Sequence, residues 1–241
     1  MTRAHEAARD FVIITCEHGG NRVPARYAPL FRDFRHALES HRGYDPGALV
    51  MARHLAHAFA APLIASTVSR LVVELNRSPW NRKLWSRMTG PLPQAERERI
   101  LARYYVPYRH DVESRVARAV KSGRRVVHVS SHSFTPVLDG KVREADVGIL
   151  YDPARRGEAD LASDWKAAFA RCAPALRVRR NYPYEGKADG LTAYLRHRYA
   201  ARDYVGVELE LNQAIVAAPP LSWRALRESV TIALRAALTR A

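Results

Sequence analysis

Short apolar runs rich in Val, Ile and Leu alternate along the chain with longer segments whose apolar residues recur every three or four positions. The short runs predict strands at Phe11–Cys16, Pro62–Ser66, Leu71–Leu75, Val126–Ser130, Val147–Tyr151, Leu176–Arg179 and Tyr204–Leu211. The longer segments predict helices over about Pro46–Phe59, Pro93–Lys121, Asp160–Cys172, Gly190–Ala200 and Ser222–Thr239. Pro107 lies inside the second of these and should kink or divide it, because proline removes a backbone donor and crowds the preceding turn. Strands joined by helices of this length imply an α/β fold whose central sheet is mainly parallel or mixed, with helices on both faces. Turn residues recur without a Gly/Ser linker, a repeat or a low-complexity tract, so the chain reads as a single domain over residues 1–241.

In such a fold, ligands bind at the carboxyl ends of the strands, and that is where the reactive side chains fall. His18 follows the first apolar run in Cys16-Glu17-His18-Gly19-Gly20-Asn21, where glycines permit close approach of the backbone to a ligand. His132 follows Val126–Ser130; His128, on the same nominal face but farther from the strand end, reads as a core or surface residue. Two strand-end histidines can share a metal ion, and a hydrolytic site of this kind takes a third protein ligand, here an acidic one. Asp45, in Tyr44-Asp45-Pro46, is the candidate and equally fits a helix N-cap with Pro46 at the first helical position. Glu17 is the alternative, although alternation along the strand points it away from His18.

Asn76 and Arg77, after Leu71–Leu75, suit a substrate carboxylate: the guanidinium grips it in bidentate fashion and the amide donates beside it. Arg70 could serve the same purpose, and Arg77 could instead form an ion pair with Glu74. Glu208 and Glu210 share one face of the last apolar run, where unpartnered charge would be costly. One of them could be a general base, with Glu210 nearer the strand end; Glu208 also fits a structural pairing with an arginine.

Composition narrows the chemistry. Cys16 and Cys172 are the two cysteines, too few for a disulfide framework or a thiolate zinc site, so histidine and carboxylate must supply any ligands. Cys16 itself, two residues from His18, is the rival nucleophile for amide hydrolysis. The 39 basic and 24 acidic residues give a net charge of +15, which raises nucleic-acid binding as a non-catalytic alternative. The basic residues are scattered and lack interleaved aromatics, however, and their charge better suits attraction of a small anion. No uncharged run is long enough to span a bilayer, and the N-terminal MTRAHEAARDFVIITC lacks a leader-like apolar region, so the expected location is cytoplasmic. Oligomeric state is not legible.

Taken together, CEHGGNRVP, YDPGA, SRLVVELNRS, YYVPYR, SSHSF, DVGILYDP, NYPYEGKADGLTAYLRHRY and VGVELELNQ resemble, in that order, the N-formylglutamate amidohydrolase family. Eight such segments over most of the chain argue against coincidence. The resemblance implies a zinc carboxypeptidase-like and aspartoacylase-like fold. It also implies a zinc-dependent hydrolase that cleaves the amide of N-formyl-L-glutamate or a similar small acidic N-acyl amino acid. It casts His18 and His132 as metal ligands, Asn76-Arg77 as the carboxylate anchor and a late-strand glutamate as the general base. Where the wider group has His-x-x-Glu, this chain has His18-Gly19-Gly20-Asn21, which shifts weight for the third ligand to Asp45. Tyr182, Tyr184, Lys187 and Arg196 are candidates to line the side-chain pocket.

Overall fold

The computed structural model describes residues 10–239; most of the N-terminal stretch read above, through Arg9, lies outside the described residues. The strands are β1 (Phe11–Cys16), β2 (Leu63–Ala65), β3 (Val126–Phe134), β4 (Val137–Leu138), β5 (Lys141–Val142), β6 (Val147–Leu150), β7 (Val178–Arg180) and β8 (Tyr204–Asn212). The α-helices are α1 (Arg35–Glu39), α2 (Ala48–Ala58), α3 (Gln94–Ile100), α4 (Val106–Lys121), α5 (Arg156–Cys172), α6 (Leu191–Arg196), α7 (Gln213–Val216) and α8 (Pro220–Leu238).

Six strands form a mixed sheet in the order β2-β1-β3-β8-β6-β7, while β4 and β5 pair as a separate hairpin. From β2 to β8 the strands are parallel; β6 runs antiparallel to β8 and parallel to β7. Alternate residues of each strand serve two cores. Ile14, Cys16, Val127, Val129 and Val207 pack with α2, α5 and α8, whereas Ile13, Val126 and Tyr204 pack with α4, α6 and the 3-10 segment Ala25–Phe34. Full burial of each such aliphatic side chain contributes about 1.5–3 kcal/mol relative to exposure.

From β1 the chain moves first to one side, to β2, and then across to the other, to β3. That reversal opens a crevice at the carboxyl ends of β1 and β3. Pairing of β3 with β1 ends at Ser130, but its pairing with β8 continues to Phe134, so β3 and β8 project past the end of β1 as one wall of the crevice.

Two sequence expectations change, and the one at Pro107 is met. Leu71–Leu75 is buried but forms turns rather than a strand; its amides find loop carbonyls, as when Glu74 donates to Leu84 at 3.0 Å. The helix around Pro107 divides into α3, a π-helical segment Leu101–Tyr105 and α4, with proline in the first turn of α4, where its missing donor costs least. Gly19 and Gly20 admit neighbouring backbone rather than a ligand: a Cβ on either would lie 2.8 Å from the carbonyl of Ser66 or Thr67.

Candidate active site

The turn after β1 delivers His18, and the loop before α2 delivers Asp45; the two are tied by an Asp45 amide donating to the His18 carbonyl at 2.9 Å. The projecting part of β3 brings in His132. Oδ2 of Asp45 lies 3.2 Å from Nδ1 of His18 and 2.9 Å from Nδ1 of His132. One donor atom from each of these three buried residues lies within 4.8 Å of the others. Asp45 therefore does not cap α2: its N-cap is Gly47, without a side-chain cap bond.

The far nitrogens explain why both rings present Nδ1. Nε2 of His18 meets the carboxylate of Glu74. Nε2 of His132 lies 3.1 Å from the Glu17 carboxylate and 2.8 Å from Ser130 Oγ, and that hydroxyl donates to Glu17 at 2.6 Å. An ionised carboxylate accepts only, so with a cation on the Asp45 side the carboxylates behind the rings favour a proton on each Nε2 and leave each Nδ1 a lone pair toward Asp45. Three acceptor atoms converging in a buried space repel one another until a cation joins them. Two imidazoles and a carboxylate, with carboxylates behind both rings, are a donor set that fits a divalent metal ion.

Electrostatics agree with that geometry. Burial opposes charge on Asp45, Glu74 and Glu17, but the histidines, with Arg70 at Asp45 and Glu74, hold all three well below the usual carboxylate range. Burial would also lower the pKa of His132, yet its bonds to Asp45 and Glu17 hold it well above the ordinary value, so without a metal a proton takes the cation's place. Arg70 donates from Nε to Glu74 at 2.8 Å and from Nη1 to Asp45 at 3.2 Å. Its guanidinium thus braces the two carboxylates around His18, and it makes the pairing with Glu74 that the sequence left open for Arg77.

Arg77 instead donates from Nη1 to the carbonyls of Asn76 at 3.0 Å and Asp189 at 2.5 Å. Asn76 accepts from the Leu191 amide at 2.7 Å and turns its Nδ2 toward His132. Cross-strand register places Glu210 opposite His132 and Glu208 opposite Ser130. Glu208 accepts from the Thr192 hydroxyl at 2.7 Å. Glu210 is buried with Oε2 lacking a hydrogen-bond partner, and burial pushes its carboxyl up to about 8, with His132 opposing and Asp45 adding to the rise.

His18, Asp45, Arg70, Asn76, Arg77, His132, Glu208 and Glu210 line one cleft of about 190 Å³, with Tyr184 and His41 among its other walls. Of the further pocket candidates, Tyr182 packs edge-on against Phe134, Lys187 pairs with Glu185 in solvent, and Arg196 is buried against Glu158. His128 is also a core residue, held between Thr15 at 2.8 Å and Tyr204 at 2.6 Å. Cys16 is fully buried in the α2 core, and burial pushes its thiol well above the ordinary value. Asn21 is exposed. Sequence reasoning missed the service of Glu74 and Glu17 to the histidines; the available signal was an acidic residue inside or at the end of an apolar run.

Comparison with known proteins supplies the family, an amidohydrolase one. Residues 11–217 match the profile of the N-formylglutamate amidohydrolase family, and the chain belongs to it. The crystal structure of gene product Atu2144 from Agrobacterium tumefaciens is 32% identical with a TM-score of 0.82, covering 97% of this chain and 92% of that one. The fold also matches N-formylglutamate amidohydrolase from Ralstonia eutropha JMP134, at 19% identity and a TM-score of 0.66, over 95% and 94% of the two chains. No curated protein matches the chain.

Proposed function

We propose that the protein is a metal-dependent hydrolase of N-formyl-L-glutamate or a similar small acidic N-acyl amino acid, acting as a single domain. The observation that carries the metal dependence is the convergence of two Nδ1 atoms and Asp45 Oδ2 in a buried space. His18, His132 and Asp45 would hold the ion, zinc being the expected one for this donor set. Bound there, a divalent ion supplies Lewis-acid polarisation of the acyl carbonyl and acidification of water.

The remaining work falls to the protein. Arg77, held by two carbonyls at the cleft wall, pairs with the substrate carboxylate, and Asn76 donates beside it, so that the scissile amide faces the histidines. Glu210 is the general base and then acid: its free Oε2 takes the proton of the attacking water and returns it to the leaving amine. Glu208, tethered to Thr192, shapes the wall and disfavours a second charge on Glu210. Formate, or another small acid, and the amino acid are the products.

The test combines metal analysis with N-formylglutamate hydrolysis before and after chelation. Activity should vanish on metal removal, return with Zn²⁺, and be lost in His18→Ala and His132→Ala. Full activity in the metal-stripped protein would sink the proposal.

A further inference from the structure

Glu17 is fully buried, one residue from a proposed metal ligand, and yet it is not among the converging donors. Strand alternation turns it to the α4 side of the sheet, away from Asp45. There Oε1 accepts from the Tyr108 hydroxyl at 2.8 Å, and Oε2 accepts from Ser130 at 2.6 Å and faces Nε2 of His132 at 3.1 Å. Tyr108 is itself anchored in α4 and reaches the Ile64 carbonyl at 3.3 Å. Every polar partner of this carboxylate is a side chain, drawn from β3 and α4. Two hydroxyl donors fix this buried carboxylate in place and leave it facing the imidazole as an acceptor. An ionised carboxylate behind an imidazole fixes the tautomer, restrains the ring and strengthens it as a ligand through the opposite nitrogen.

We infer that Glu17, buttressed by Tyr108 and Ser130, is a positioning residue that locks His132 in its Nε2–H tautomer and aims Nδ1 at the metal. The inference rests on the metal-dependent reading above and extends it to residues outside the cleft. Glu17 touches neither substrate nor ion; it acts through His132, and Tyr108 carries that support from a helix on the face of the sheet. Ser130 serves twice, accepting from His132 Nε2 while donating to Glu17, so the ring nitrogen has two acceptors at 2.8 and 3.1 Å, both nearer than the Asn76 amide nitrogen at 3.5 Å.

The test compares Zn²⁺ affinity, by competition with a chromophoric chelator, in wild-type protein and in the Glu17→Gln and Tyr108→Phe variants. Circular dichroism checks that each is folded. Glu17→Gln keeps the shape and removes the charge, and should weaken zinc binding about 10- to 100-fold. Tyr108→Phe, which touches neither the metal ligands nor His132, should give a smaller loss in the same direction. Histidine ¹⁵N spectra of the zinc-loaded wild type should show His132 as the Nε2–H tautomer. Unchanged zinc affinity in a folded Glu17→Gln, or an Nδ1–H tautomer in the wild type, overturns the inference. If Glu17→Gln does not fold, unchanged affinity in Tyr108→Phe overturns it instead. Failure of the wild type itself to retain zinc overturns the metal-dependent reading as well, whereas equal retention by wild type and variants overturns only the role of Glu17.

Discussion

Replacing Glu210 by glutamine should stabilise the metal-free protein and abolish its activity. The carboxyl of Glu210 is buried, Oε2 has no hydrogen-bond partner, and burial raises its pKa from 4.5 to about 8. In the unfolded chain the same group ionises near 4.5. Between those values the unfolded state binds fewer protons than the folded one, so unfolding free energy falls as pH rises. The contribution of a neutral Glu210 is whole below about pH 4.5 and is lost as pH climbs toward 8. At about 1.4 kcal/mol per pH unit, the penalty reaches roughly 3 kcal/mol at pH 7 and, with the folded group half ionised, roughly 4 kcal/mol at pH 8. Glutamine has nearly the same shape and no charge, so Glu210→Gln removes this dependence. Urea unfolding of chelator-treated wild type and variant at pH 5, 6, 7 and 8 should give curves that nearly coincide at pH 5 and diverge steadily, the variant being the more stable. His132 also titrates, but it is present in both proteins, and the difference between them isolates Glu210 apart from the coupling of the two sites. A bound divalent cation favours the ionised carboxylate, so zinc should narrow the gap. Hydrolysis in the variant should drop by about 10²–10⁴-fold. Parallel pH dependence in the two proteins would refute the claim that this carboxyl is held neutral by the fold.

Three further outcomes are expected. Arg77→Lys should raise KM for N-formylglutamate about as much as Arg77→Ala, because a compact ammonium cannot reproduce a bidentate grip; full recovery with lysine, in steady-state assays, would remove Arg77 from the anchor. Arg196→Met should cost about 3–5 kcal/mol in urea unfolding at pH 7, since it strips from the fully buried Glu158 the guanidinium whose Nε–H is shared by both carboxylate oxygens at 2.9 and 3.0 Å. Cys16→Ala should keep kcat near the wild-type value, and thiol alkylation should modify the exposed Cys172 in preference to Cys16; loss of activity in the folded variant would revive the thiol nucleophile.

Much of the fold was legible because its strands are short apolar runs and its helices are amphipathic, and both periods survive folding. Leu71–Leu75 was misread for a physical reason: burial, not sheet pairing, was what its apolar residues reported. Its backbone bonds go to loops, and no local pattern distinguishes the two. The length of β3 was also hidden. Ser131, His132 and Ser133 look like a polar loop, but each side chain has a partner: Ser131 donates to the Ala48 carbonyl at 2.9 Å and Ser133 to that of Pro46 at 2.7 Å. Polar residues can therefore continue a buried strand into a site. The same blindness applied to Glu17 and Glu74. A carboxylate beside an apolar run announces that a partner exists, but the partner lies 56 residues away for Glu74 and 115 away for Glu17, across folded space.

The charge of the chain illustrates how composition misleads until it is placed. Several arginines behind the charge that raised nucleic-acid binding are committed elsewhere: Arg125 to Asp10, Arg155 to the carbonyls of Arg196, Tyr199 and Tyr204, Arg177 to Asp146, and Arg179 to Glu144. They occupy separate parts of the surface rather than one stripe that could follow a phosphate backbone. The cleft has the opposite balance: Asp45, Glu208 and Glu210 line it and Glu17 and Glu74 stand behind it, against the guanidiniums of Arg70 and Arg77. Arg70 is already engaged by two of those carboxylates. An anionic substrate entering this cleft would meet net repulsion unless a further cation sat among the carboxylates. The proposed metal ion therefore serves binding as well as chemistry, and its removal should raise KM or abolish saturation even in assays of residual turnover. The surface arginines act only at longer range, so added salt should weaken capture modestly, through screening over about 10 Å at 0.1 M, and leave kcat unchanged.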